Sequence, residues 1–215
     1  MFICTYARYG IWHKVDVHRS GDRQITGGKV KNMSSIEIAR TSITGLHADC
    51  IVNAANEGLL AGGGVCGAIF RAAGYEQLQE ACDKIGHCDT GDAVITPGFN
   101  LPAKYVIHAV GPIWRGGNQD EPRKLYSAYK SSLQRAMENG CHSIGFPLIS
   151  SGIYGYPKDG AWRKALQACN DFIRENPDYE MTIVFAVLDD YILELGRAEM
   201  GRQSRNAEPV PDPKG

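Results

Sequence analysis

The chain has 215 residues, 23 Lys and Arg against 24 Asp and Glu, and a formal net charge of −1. That length supports one sizeable core. The near-zero charge gives no global electrostatic case for nucleic acid or a membrane surface, and Lys29 and Lys31 near the start are too few to bind RNA. No apolar run approaches the length of a membrane span, and the short opening MFICTYARYGIW lacks a small-residue cleavage site, so no signal peptide is expected. Cys4, Cys50, Cys66, Cys82, Cys88, Cys141 and Cys169 are odd in number, scattered and without a CxxC pair. They suit reduced thiols in a cytoplasmic protein better than a disulfide framework.

Residues 1–32 are net basic, carry Gly21, Gly27 and Gly28, and show no sustained period. They read as a loosely ordered leader, with the domain itself over 33–200. The Pro-rich, charged stretch 201–215 reads as a disordered tail. Within the domain, Ile36–Arg40 alternates as a strand, and Cys50–Ala54 is a short apolar strand running into a glycine loop. Helices are predicted over Val65–Ala73 and Tyr75–Ile85, and strands over Ala93–Thr96 and Tyr105–Val110. Leu125–Asn139 is an amphipathic helix ended by Gly140, and Ser143–Ile149 is a buried strand before a second glycine loop. Gly160–Glu175 is a helix. Met181–Leu188 is apolar on both faces, as a covered strand requires, and Tyr191–Met200 closes the domain as a helix. Strands alternating with helices predict an α/β domain, three layers around a largely parallel sheet.

Ligands collect beyond the carboxyl ends of strands in such sheets, and both glycine loops stand there. In the first, IVNAANEGLLAGGGVCGAIFRAAG, Gly62, Gly63 and Gly64 leave no side chain between main chain and ligand, and a helix begins near Val65. Its free N–H groups favour a diphosphate without Lys or Arg. Neither GxGxxG nor GK[ST] is present, and a plain connecting turn is the competing reading. Asn53 and Asn56 offer donor and acceptor to ribose hydroxyls, or else stabilise the turn locally. In the second loop, ISSGIYGYP, Ser150, Ser151, Gly152 and Gly155 expose main-chain N–H groups around Ile153 and Tyr154, and Pro157 opens the next helix.

Other residues read more blandly. Trp114 suits either a pocket rim or a half-buried surface turn, His108 a hydrogen-bonded core position, and Asp190 a helix cap. Cys82, His87 and Cys88 form at most half a metal site, so neither metal nor cofactor is expected.

With IVNAAN, the triple glycine with GVCGAIFRAAG, GHCDTGDAVIT, LPAKYVIHAVGPIW and FPLISSGIYGYP in this order, the chain resembles the macrodomain family over Ser34 to Met200. The resemblance implies an α/β/α sandwich around a mixed sheet, and ADP-ribose or an ADP-ribosylated protein as ligand. It implies hydrolysis of ADP-ribosyl linkages on proteins or deacetylation of O-acetyl-ADP-ribose, with a reader that binds without turnover as the alternative. Asn56 resembles the family asparagine at the distal ribose, Gly62–Val65 the diphosphate loop, and Ser151–Tyr154 the second phosphate loop, with Tyr154 beside the distal ribose. Ile43 resembles the aliphatic residue beside adenine, and Leu188 stands where an aromatic often stacks on adenine.

Three positions depart from the pattern. Ser42 replaces the aspartate that accepts from the adenine amino group, Cys66 replaces the catalytic acid, and Phe70 replaces a nearby histidine. Asn56 is therefore the main residue implied for catalysis, with Cys66 expected as a small packing residue rather than a nucleophile, and turnover expected to be slow.

Overall fold

A computed structural model describes residues 34–207. The predicted leader and the end of the predicted tail, 208–215, lie outside the described residues. The elements run β1 (Ser35–Arg40), a 3-10 turn (Ile43–Gly45), β2 (Cys50–Ala55), α1 (Gly64–Ala73), α2 (Tyr75–Ile85), β3 (Ala93–Pro97), β4 (Tyr105–Val110), α3 (Glu121–Glu138), β5 (Ser143–Phe146), α4 (Lys158–Glu175), β6 (Thr182–Val187) and α5 (Asp190–Ala207). The strands form one sheet in the order β1-β6-β5-β2-β4-β3. Every neighbouring pair is parallel except β3 with β4, which makes the sheet mixed but largely parallel. Among the described residues no helix is long and apolar enough to cross a membrane.

Strand alternation divides the core into two layers. Cys50 and Val52 of β2, with Ile107 and Ala109 of β4, face a core built from α3, α4 and α5. Ile51 and Ala55, with Val106 and Val110, face the opposite layer of α1 and α2. The period of two thus sends Asn53 and His108 to the α1/α2 side, and the β2–β4 register sets them opposite each other. On the other face Trp162 of α4 is fully buried and its indole N–H donates to the Ile192 carbonyl, 2.9 Å away. Burying such a side chain stabilises the fold by about 1.5–3 kcal/mol. Gly196 of α5 makes this contact possible, because a Cβ there would stand 2.6 Å from the indole ring.

Some boundaries differ from the sequence reading. Helix α3 begins at Glu121 rather than Leu125, since its first turn is fixed by polar bonds rather than apolar period. The buried Glu121 carboxylate accepts the N–H groups of Arg115, Gly117 and Gln119 at 2.9, 3.1 and 2.6 Å. Burial opposes ionisation of Glu121, yet these backbone donors hold its carboxyl below the usual range. Strand β5 stops at Phe146 because Pro147 cannot donate to a ladder. Helix α5 continues to Ala207 instead of giving way to disorder after Met200. Its added turn is tied back by Arg202 to Glu199 at 2.8 Å and by Asn170 of α4 to Gln203 at 3.1 Å. The cap of α5 is Asp189, whose carboxylate accepts the Ile192 N–H at 2.9 Å. Asp190, expected in that role, pairs with Arg40 at 2.6 Å.

Candidate functional site

Adjacent strands β2 and β5 send their following helices to opposite faces of the sheet, α1 with α2 to one and α4 to the other. A crevice opens at their carboxyl ends for that reason. It holds a cleft of about 240 Å³ lined by Ala54–Asn56, Gly62–Cys66, Gly111, Leu148–Ser150 and Gly152–Tyr154.

The first wall is the segment between β2 and α1. Gly67 is the first residue whose N–H finds a helical partner, the Gly63 carbonyl at 3.3 Å. The N–H groups of Gly62 to Cys66 have no partner among the described residues. Gly64 adopts φ 58°, a left-handed value that glycine takes without strain. The segment is pressed against α1, where a Cβ on Gly67 would stand 2.5 Å from the Gly62 carbonyl oxygen. Asn56 closes its start: Nδ2 donates to the Leu60 carbonyl at 2.7 Å and Oδ1 accepts the Leu60 N–H at 3.1 Å. One amide hydrogen and one lone pair of Asn56 are left over for a ligand. Gln79 of α2 braces the middle by accepting the Ala61 N–H at 3.0 Å. Glu57 links the segment to the turn before β3, accepting the Thr90 hydroxyl at 2.7 Å, and this bond holds its carboxyl below the usual range.

The second wall follows β5. Ser150 stands at φ 64° and Gly155 at φ 67°. Tyr156 N–H donates to the Ser150 carbonyl at 3.0 Å and Gly155 N–H to Gly152 at 2.9 Å. The N–H groups of Gly152, Ile153 and Tyr154 have no partner among the described residues. Trp114 N–H donates to the Tyr154 carbonyl at 2.8 Å, and its half-buried indole packs edge-on to Tyr156 at 4.6 Å. Ile153 is 85% exposed and reaches over the mouth, where a Cβ on Gly63 would be 3.5 Å from its Cδ1. The half-buried Tyr154 has its phenol pKa raised by burial, with Glu57 and Cys66 nearby adding to the effect. The cleft thus presents unpaired donors from both sides, and no charged side chain among the described residues lines it.

This arrangement has close counterparts. The Macro domain family model matches residues 52–165. An O-acetyl-ADP-ribose deacetylase of Escherichia fergusonii is 52% identical over 144 residues, covering 65% of this chain and 81% of that protein. An Oceanobacillus iheyensis macrodomain with ADP superposes at TM-score 0.77 with 35% identity, covering 82% of this chain and 95% of that one. A Trypanosoma brucei macrodomain in complex with ADP-ribose superposes at TM-score 0.71 with 40% identity, covering 77% of this chain and 69% of that one. The chain belongs to the macrodomain family.

In this macrodomain the fold brings Asn56, Gly62, Gly63, Gly64, Val65, Cys66, Gly152, Ile153 and Tyr154 of the predicted residues to one cleft. Others stand elsewhere. Asn53 is corrected to a core residue: it is 1% exposed and donates to His108 Nδ1 at 3.1 Å, because strand parity turns it under α1 and away from the cleft. The Ser151 hydroxyl donates to the Leu148 carbonyl at 2.8 Å and is taken up within its own loop. Ile43 is buried beneath the first wall with Leu59 and Cys66. Ser42 is exposed and its hydroxyl pairs with Thr44 at 2.9 Å. Leu188 is 67% exposed and, like Gly155, does not line the cleft.

Sequence reasoning placed Ser150 in the second ligand loop but missed Ala54, Ala55, Gly111, Leu148 and Ile149 as lining residues. Only the pairing of β2 with β4 and β5 reveals them. Cys66 is buried, with Sγ 3.9 Å from the Leu60 carbonyl oxygen. Phe70, one turn further along α1, is fully buried beside His108 and Tyr75. Cys82 faces His108, while His87 pairs with Asp89 at 2.9 Å, so the half metal site of the sequence does not come together.

Proposed function

We propose that this macrodomain binds ADP-ribose in the cleft and hydrolyses a bond at the distal ribose. The substrates are the acetyl ester of O-acetyl-ADP-ribose or the ADP-ribosyl linkage of a modified protein. The observation that carries the reading is the pair of facing N–H rows, Gly62–Cys66 and Gly152–Tyr154, in a cleft that no charged side chain among the described residues lines. Each hydrogen bond to a charged oxygen contributes about 1.5–3 kcal/mol, so a few of them support the roughly −8 kcal/mol of micromolar binding. The chain's likeness to an O-acetyl-ADP-ribose deacetylase and to an ADP-ribose-bound macrodomain favours the same ligand. Cys50, Cys66, Cys82, Cys88, Cys141 and Cys169 are free thiols, which fits a protein of the reducing cytoplasm.

The chemistry that remains is positioning. The N–H rows hold the diphosphate, and the free amide hydrogen and lone pair of Asn56 orient the distal ribose and an attacking water. Among the described residues the cleft lining includes no carboxylate or histidine to deprotonate that water, so slow turnover is expected. The same observation supports a second reading, a module that binds ADP-ribose without turnover. Incubation with O-acetyl-ADP-ribose and with a mono-ADP-ribosylated protein separates the two. The expected result is slow product release from at least one of them. Binding by calorimetry with no product from either leaves the reader, and no binding removes both.

Asn56→Ala should lower turnover roughly a hundredfold, the scale of an ångström of misplacement. Cys66→Ala should stay within a few-fold of wild type, whereas loss of a catalytic base would forfeit about 10²–10⁴-fold. If Cys66→Ala abolishes turnover while ADP-ribose still binds, the thiol is catalytic and the positioning account fails.

A further inference from the structure

The second wall of the cleft is propped from outside by a turn that lines no part of it. Residues 115–119 lie between β4 and α3, and Trp114 joins them to the wall. The Trp114 N–H donates to the Tyr154 carbonyl at 2.8 Å, and its indole packs edge-on to Tyr156 at 4.6 Å. Gly117 of the turn lies against the same ring: a Cβ there would stand 2.9 Å from Trp114 Cη2. The backbone of the turn is costly. Gly116 and Gly117 stand at φ 101° and 86°, which glycine tolerates, and Asp120 at 64°, where a side chain is unfavourable. Among the described residues the only hydrogen bonds of 115–119 are the N–H groups of Arg115, Gly117 and Gln119, all given to Glu121. Glu121 is 2% exposed and forms no ion pair among the described residues. A carboxylate so buried is unfavourable unless it is fully hydrogen-bonded. Starting α3 does not require one, because an exposed Ser, Thr or Asp caps a helix as well.

We infer that Glu121 is a positioning residue for the candidate site: its carboxylate shapes the 115–119 turn, the turn seats Trp114, and Trp114 fixes Gly152–Tyr154 at the cleft. This role presupposes the ADP-ribose reading above. Glu121 itself does not line the cleft. It acts through two contacts of Trp114, one main-chain and one aromatic, so a shift of the turn displaces the wall as a unit. Hydrogen bonds weaken steeply off angle, and a displaced wall therefore loses grip on a ligand even while the fold persists.

The test measures ADP-ribose affinity by calorimetry, well below the melting temperature, in wild type, Glu121→Gln, Trp114→Phe and the double variant, with thermal unfolding of each. Glutamine matches glutamate in size, but its NH2 would face at least one of the three N–H donors. Trp114→Phe keeps the main-chain N–H and shortens the ring that bridges Gly117 and Tyr156. Glu121→Gln should bind about tenfold more weakly, the weight of one hydrogen bond to a charged oxygen, while fully folded at the temperature of measurement. Trp114→Phe should also weaken binding, and the double variant should stay within about twofold of Glu121→Gln, because both changes break one path. A residue that only stabilises the fold lowers the melt and leaves this affinity unchanged. If Glu121→Gln melts lower but binds within about twofold of wild type, Glu121 is structural and the inference is overturned. If the two losses multiply in the double variant, the residues act independently and the path through Trp114 falls. If Glu121→Gln does not fold, Gly117→Ala decides, since it pushes the same turn against the indole with the carboxylate intact. Wild-type affinity in that variant overturns the inference, and a loss supports it. Failure of wild type to bind ADP-ribose would instead remove the functional reading on which this role rests.

Discussion

Gly67→Ala should reduce ADP-ribose affinity roughly a hundredfold or more, equivalent to losing one or two hydrogen bonds to a charged oxygen. Helix propensity alone argues the other way, because alanine inside a helix is worth about 1 kcal/mol over glycine. The local geometry decides against it. The new methyl would meet the Gly62 carbonyl oxygen at 2.5 Å, a backbone atom held by the bonds of Asn56 to Leu60 and of Ala61 to Gln79. Relief requires the Gly62–Gly64 segment to move off α1, and its N–H groups then no longer aim into the cleft. Calorimetry with ADP-ribose, beside a thermal melt that remains cooperative, checks this. Wild-type affinity in Gly67→Ala would show that the segment tolerates displacement and that its main-chain donors matter little.

The second large effect is on stability against pH. His108 is fully buried, and desolvation lowers its pKa from the usual 6.5 to about 4. It is neutral in the fold: Asn53 Nδ2 donates to its Nδ1 at 3.1 Å, and its Nε2–H donates to the Thr96 hydroxyl at 2.9 Å. A depressed histidine binds its proton more readily in the unfolded chain. Stability is therefore complete above pH 6.5, falls as the pH drops toward 4, and levels off below that. The full loss amounts to about 3 kcal/mol. Urea denaturation at closely spaced pH values should reveal it, and most of the fall above pH 5 precedes the titration of ordinary carboxylates. His108→Gln should be less stable at neutral pH but lose most of its slope in this window. A variant with the wild-type slope would mean that another group governs the acid response.

The layered α/β class was legible because element type follows from period and glycine punctuation, both local properties. What escaped the sequence was non-local. Asn53 and Asn56 are the same residue type three positions apart, and only strand parity separates the core partner of His108 from the residue at the cleft. Ser150 and Ser151 differ in the same way: the backbone turn at Ser150 directs one hydroxyl to the floor and the next to its own loop. The start of α3 was missed because Glu121 gathers N–H groups from the preceding loop, a polar device invisible to hydrophobic period. The glycine segments were readable because glycine marks loops, and Gly64 and Gly155 take the left-handed backbone that suits it.

A cleft whose donors carry no formal charge also fixes how a ligand arrives. Partial charges at a helix start fade within about a turn, and among the described residues no guanidinium or ammonium group lines the opening. Nucleotides therefore meet this opening with little local electrostatic steering from its lining residues. Added salt has little to screen, so association stays nearly constant across ionic strengths. Discrimination falls almost wholly on residence time, which is set by how long the two rigid segments keep their grip.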